Sequence, residues 1–224
     1  MTDWRAPLGS LLLAVAVAAT VGVRALPAVA QPSAPPLSEF GPEVPPEPES
    51  TSRAQPQSPE EEAALRRARL DGLFARLAQK DDPNWEKVQN EIWATWSQSG
   101  SAAMDLVLLR AGRAMSSGDS ELALRFLDDL VRLAPDFAEG WNKRATVYFL
   151  LEEYGHSVAD IERTLALEPR HFGALSGLGN ILERIGDKKG AMRAYRRGLE
   201  IHPNLPGAAA AVERLSPDVD GRKL

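Results

Sequence analysis

Three histidines, His156, His171 and His202, are the residues of this chain best suited to hold a transition metal or pass a proton, because imidazole titrates near neutrality and can ligate through either nitrogen. Their spacing supports neither use. No two of them stand four apart on a helix, no His-Glu-x-x-His run occurs and there is no cysteine, so the motifs of a metal site, a thiolate nucleophile and a disulfide framework are all missing. The stretch HFGALSGLG, residues 171–179, is rich in glycine like a phosphate loop, but its spacing departs from the dinucleotide fingerprint and no strand precedes it. No Gly-x-Ser-x-Gly elbow is present, and Asp and Glu are scattered over polar helix faces, as solvated surfaces require. These residues point to no catalytic centre, metal or cofactor. One charged residue stands out for a different reason. In WNKRATVY, residues 141–148, Arg144 takes a slot in the apolar stripe of Trp141, Ala145 and Tyr148, and a partly buried guanidinium there requires a carboxylate.

The elements that position these residues begin with an export signal. Residues 1–30 join a short basic start to an apolar run, Leu8 to Val23, and end in Ala28-Val29-Ala30, the layout of a secretory signal peptide cleaved before Gln31. The run is shorter than the roughly 20 residues a membrane-crossing helix needs, so no stable membrane insertion is expected after cleavage; an uncleaved N-terminus that anchors the chain is the alternative. The protein is therefore expected to be periplasmic or secreted. Loss of the signal removes two arginines and one aspartate, making a chain of net charge −5 slightly more acidic. That balance argues against nucleic acid, whose affinity rests on clustered Lys and Arg. Residues 31–57 hold eight of the chain's 17 prolines and few large apolar side chains, and are expected to form a disordered linker.

Helical order is expected from Ser58, where a capping hydroxyl, Pro59 at the first helical position and a carboxylate at Glu61 satisfy the free amides of a helix start. Leu65, Leu70, Leu73, Phe74 and Leu77 repeat at helical spacing, and a second helix opening at Asp82-Pro83 places Trp85, Val88, Ile92 and Trp96 on one face. Residues 58–103 should thus form an antiparallel hairpin. From residue 104 a period of 34 aligns three blocks without a gap: Val107, Trp141, Leu175; Ala111, Ala145, Gly179; Ala123, Ser157, Ala191; Pro135, Pro169, Pro203. These blocks resemble the tetratricopeptide repeat, with a large residue, a small residue where two helices cross, an aromatic and a closing proline. Ser157 and Thr164 depart from the small-residue pattern. The ordered region as a whole is also similar to exported repeat proteins of alphaproteobacteria.

The resemblance implies an all-α fold, a right-handed α-solenoid of helix hairpins, with repeats at 104–137, 138–171 and 172–205 and a capping helix at 206–216 that Pro217 ends before a flexible tail, 217–224. It makes Arg144 a structural residue paired with Asp160 on the facing helix. Arg110 holds the same place in the first repeat, with Asp129 as one candidate partner. It also implies that the first helix of each repeat lines a concave groove that accepts a peptide or helix. The groove positions include Leu108, Met115, Glu139, Asn142, Thr146, Phe149, Ser176, Asn180 and Arg184. Gly177, with Gly173, leaves α-helical backbone bare on one face, which either weakens the helix locally or lets a partner's backbone approach. The lysine and asparagine that chaperone-binding relatives use to hold an acidic C-terminus are replaced by Leu108 and Gly112. The same positions also fit a plain solvated wall, or one covered by the N-terminal hairpin, which is well placed to pack on the first repeat.

The expectation is a noncatalytic scaffold or adaptor of the cell envelope whose partner is another protein. The alternatives are a structural subunit that docks by its convex face and, further off, a small-molecule-binding or catalytic protein.

Overall fold

The computed structural model describes residues 58–80, 82–219 and 221; the expected signal peptide and linker lie outside them. The described residues form helices α1 (Pro59–Leu77), α2 (Trp85–Trp96), α3 (Ala102–Ser116), α4 (Ser120–Leu133), α5 (Ala138–Leu150), α6 (Tyr154–Leu167), α7 (Phe172–Arg184), α8 (Lys188–Ile201) and α9 (Ala208–Val219), with no strand among them. Three of these, α3, α5 and α7, each pack against the helix that follows, and α5, α7 and α9 also pack on the helix before. The architecture is an all-α solenoid of helix hairpins.

Local chemistry explains where the helices start and turn. Ser58 Oγ accepts from Glu61 N at 3.1 Å with Pro59 in the first turn, and Asp119 and Asp187 cap α4 and α8 by accepting from Leu122 N and Gly190 N. Such caps satisfy amides that no helical carbonyl can reach. Between the two helices of each repeat the chain passes through the left-handed region, at Gly118 (φ 77°), Glu152 (φ 60°) and Gly186 (φ 86°), spaced 34 apart. Glycine adopts this conformation freely, whereas a Cβ disfavours it by roughly 1–2 kcal/mol. Glu152→Gly is therefore expected to raise the unfolding free energy by up to about 1 kcal/mol, since glycine's greater freedom when unfolded offsets part of the relief. Urea unfolding of the two proteins measures it.

Packing within the repeats follows the small residues. At Gly179 a Cβ would come within 2.5 Å of Tyr195, so α7 and α8 cross more closely than any larger residue allows. The hydroxyls that depart from the small-residue pattern are satisfied internally: Ser157 Oγ donates to Ala145 O at 2.7 Å and Thr164 Oγ1 to Asp160 O at 2.8 Å. Arg144 Nε and Nη2 donate to the two oxygens of Asp160 at 2.7 and 2.8 Å, while Nη1 reaches Asp128 in the preceding repeat at 2.8 Å. The bidentate bond to Asp160 outweighs burial and raises the Arg144 pKa further. Arg144 thus joins α5 to both α6 and α4. Arg110 does not meet Asp129, whose carboxylate pairs with Arg132 at 2.6 Å one helical turn away.

Two expectations are corrected. Pro217 does not end the last helix; α9 runs on to Val219. Pro217 leaves the last turn short of one backbone bond, and Lys188 holds the end through Asp218 at 2.5 Å. The larger correction concerns α1 and α2. The hairpin does not pack on the first repeat. Leu73, Phe74, Leu77, Val88, Ile92 and Trp96 share one core with Phe172, Met192, Tyr195, Leu205 and Leu215 of the third repeat and α9. The reason lies in the aromatic face of α2, which finds rings at the repeat junctions, His171, Phe172 and His202. The outer face of α3 offers only exposed Leu106 and Leu109 with Arg110 and Arg113.

Candidate protein-interaction site

The hairpin runs lengthwise over the first turns of the repeat helices. At its start, Trp85 packs 5.4 Å from the His202 ring and Gln89 Oε1 lies 2.9 Å from His202 Nε2, at the α8–α9 junction. Farther along, Trp93 meets Phe172 edge-on at 5.3 Å and Trp96 stacks on His171 at 4.1 Å, at the α6–α7 junction. Beyond its end, Ser99 N and Oγ donate to Asp105 of α3. Helix α2 thus passes the repeats in reverse order. On the α1 side, Arg170 bonds Asp71 at 2.7 Å and lies over Phe74, and Asn204 Nδ2 donates to Lys80 O. Gly173 is bare because Trp93 occupies its face: a Cβ there would overlap the indole. The chain's own tryptophan takes the place expected for a partner's backbone.

A buried polar cluster lies under Trp96. Glu139, 1% exposed, accepts from Asn142 Nδ2 at 3.0 Å and from His171 Nε2 at 3.1 Å, and Lys143 Nζ lies 3.1 Å from its other oxygen. His171 Nδ1 in turn accepts from Ala174 N, capping α7; a ring nitrogen that accepts carries no proton, so the proton sits on Nε2. Burial alone would raise the Glu139 pKa, but the hydrogen bond from His171 and the charge of Lys143 together hold it below the ordinary value. Glu139 and Asn142, expected on the groove surface, are therefore interior struts. His171 and His202 are buried as well.

His202 makes a separate pH dependence. Its Nδ1 is buried without a partner and burial pulls its pKa down to about 4. The unfolded chain then binds a proton that the folded one refuses between about pH 6.5 and 4. Stability contributed by neutral His202 is complete above pH 6.5 and is lost as pH falls toward 4. The urea midpoint is expected to drop through that window, and His202→Gln is expected to flatten the decline.

The remaining groove positions surround open space. A cavity of about 410 Å³ lies between α2 and the concave side of α5 and α7, with Trp93, Thr146, Phe149, Ser176, Gly177 and Asn180 in its lining. Thr146 and Asn180 are exposed at its edge, and Asn180 is oriented by Tyr195, whose hydroxyl donates to Asn180 Oδ1 at 2.6 Å. Burial, with Glu183 nearby, pushes the Tyr195 pKa up to about 12, so the hydroxyl keeps its proton at neutral pH. Arg184 lies over Phe149 at 5.1 Å. In the first repeat, Leu108 and Gly112 line a second, shallower concavity with Leu109 and Arg113, while Met115 packs into the core beside Leu108. Gln89, Trp93 and Lys143 are groove residues that motif positions did not indicate. Among the described residues no group of three or more His, Asp or Glu is placed to hold a metal ion, and no helix is long and apolar enough to cross a membrane.

A stack of helix hairpins with small residues at each crossing and one concave lining defines a helical-repeat protein. A tetratricopeptide repeat model matches residues 173–205. The chain is 40% identical over 156 residues to a TPR repeat-containing protein of Rhizobium etli, covering 69% of this chain and 76% of that one. It belongs to the tetratricopeptide repeat family. It is also 30% identical to small glutamine-rich tetratricopeptide repeat-containing protein 2 of Saccharomyces cerevisiae, covering 54% of this chain and 34% of that protein. Among solved structures, MamA is similar in fold with a TM-score of 0.51 at 18% identity, covering 63% of this chain and 86% of its own. The first TPR of Spaghetti (RPAP3), bound to the HSP90 peptide SRMEEVD, gives 0.50 at 20% identity over 51% of this chain and 91% of its own.

Proposed function

We propose that this chain is an exported, noncatalytic adaptor of the cell envelope that binds an extended segment of another protein along the concave side of α5 and α7. The observation that carries the reading is the cavity between Trp93 and Phe149: the hairpin covers the first turns of the repeat helices but leaves this stretch of the groove unfilled. An apolar recess with a few oriented polar groups at its edge is the usual form of a recognition site, and repeat solenoids present such surfaces to peptides. The RPAP3 repeat domain, which holds a peptide, supports the same use of the fold. The N-terminal sequence supports export.

Affinity capture from cell envelopes tests the reading, with the wild-type chain beside Gly177→Leu. A Cβ at Gly177 meets only Ile161 Cδ1 at 3.6 Å, so leucine there projects into the cavity at little expense to the fold. A protein retained by the wild type and lost by the folded variant is expected; identical captures contradict groove binding. In the same preparation, a mature chain beginning at Gln31 supports export.

A second reading, a subunit of a larger assembly, is favoured by Leu106 and Leu109, 45% and 50% exposed on α3. Their counterparts 34 residues on are Gly140 and Lys143, of which Gly140 is packed against Leu130 of the preceding repeat.

A further inference from the structure

The cavity adjoins a third concavity through Phe149 and Asn180, which line both, and the third also holds Glu183, Arg184 and Arg214. Two of these charges satisfy each other: both Glu183 oxygens accept from the Arg214 guanidinium, and that bond holds the Glu183 carboxyl below its ordinary range. Arg184 is different. Its guanidinium lies over the Phe149 ring, and its polar contact among the described residues is the Tyr154 hydroxyl at 3.5 Å. Among the described residues no carboxylate pairs with it; Glu183, its neighbour in sequence, is taken by Arg214. An apolar recess therefore opens beside a cation that has no carboxylate partner among the described residues.

Resting on the adaptor reading above, we propose that this composite site takes a peptide segment in which a large aromatic side chain fills the cavity and an acidic side chain within two residues of it pairs with Arg184. Three observations select this ligand. At Gly177 the backbone of α7 is bare, so a flat ring can lie against it, flanked by Trp93 and Phe149 in the edge and offset contacts that aromatic rings favour. The Arg184 guanidinium stands 5.1 Å from the centre of the Phe149 ring, and consecutive Cα atoms are about 3.8 Å apart, so neighbouring residues of one peptide span both sites. A charge-assisted bond to a planar guanidinium is geometrically selective for a carboxylate. Part of the wall, Trp93 and Gln89, comes from α2, so the hairpin serves as one side of the site and not only as a cover.

Fluorescence anisotropy with the mature chain and three labelled, end-capped hexapeptides tests this, their central pairs being Phe-Glu, Phe-Gln and Ala-Glu. Phe-Glu is expected to bind about fivefold more tightly than Phe-Gln, the upper end of what an exposed ion pair gives, and at least about tenfold more tightly than Ala-Glu, which lacks the buried ring. Arg184→Gln is expected to erase the difference between Phe-Glu and Phe-Gln while keeping the preference for Phe over Ala. Gly177→Leu is expected to abolish all binding with an unchanged circular dichroism spectrum. Equal binding of Phe-Glu and Phe-Gln, or a preference that survives Arg184→Gln, overturns the acidic-ligand assignment. Absence of binding by every peptide overturns the inference as well. In either case, a partner captured by the wild type and lost from Gly177→Leu keeps the adaptor reading intact, so the two can fail separately.

Discussion

Replacing Trp96 by alanine is expected to lower the unfolding free energy by about 3–5 kcal/mol, the range for deleting a large buried aromatic. Trp96 is 7% exposed and touches both halves of the molecule: Phe74 of α1 at 5.8 Å, and His171 and Phe172 at the α6–α7 junction at 4.1 and 5.1 Å. Its removal opens a cavity between the hairpin and the third repeat, which the surrounding helices can close only partly. The loss should also be local in character. The hairpin is held to the repeats by side chains at the junctions, so Trp96→Ala should make α1 and α2 susceptible to protease before α5 to α8. Limited proteolysis followed by mass spectrometry reads the order of cleavage, and urea unfolding the total. Simultaneous cleavage throughout would show that hairpin and repeats unfold as one unit.

Glu139→Ala is expected to cost a comparable 3–5 kcal/mol, by a different mechanism. Removing one member of a buried polar cluster leaves its buried partners unpaired, here His171 Nε2 and Asn142 Nδ2, and takes the carboxylate from the partly exposed Lys143 ammonium. Glu139→Gln keeps an acceptor for His171 and should lose less. The sign of the pH dependence follows from the lowered pKa of Glu139. Its contribution is complete above the unfolded value near 4.5 and disappears as pH falls through the lower folded value. Acid titration of the wild type and Glu139→Gln should therefore converge below that point, whereas the His202 contribution is already lost at milder acidity. Urea midpoints collected from pH 7 to pH 3 separate the two groups.

The repeats were legible in the sequence because their information is local and periodic. Ala111, Ala145 and Gly179 fall 34 apart, and so do the closing prolines; each mark reports a contact inside one hairpin or between adjacent ones. The Arg144–Asp160 pair was likewise readable from one repeat. What could not be read is the docking of α1 and α2, because Trp93 on Phe172, Gln89 on His202 and Lys80 on Asn204 join residues far apart in the chain, and no period relates them. One sign was visible: Gly173 left a face of α7 bare. Its meaning was inverted, since the face is filled from within the chain. Glu139 was misplaced for a related reason. A carboxylate at a groove position reads as solvated until His171, 32 residues away, is known to sit against it. Glu152 at the turn position held by Gly118 and Gly186 was visible in the period but shows its strain only in the backbone.

The central claim is that another protein lies in the groove between α2 and the concave side of α5 and α7. Site-specific photo-crosslinking in living cells tests it most directly, with a photoreactive residue at Ser176, which lines the cavity, and for comparison at Glu162, exposed on α6. A discrete adduct from position 176, absent from position 162 and lost when Gly177→Leu is added, is the result predicted. An adduct from 162 alone, or one from 176 that survives Gly177→Leu, would place the partner elsewhere on the solenoid and contradict the account.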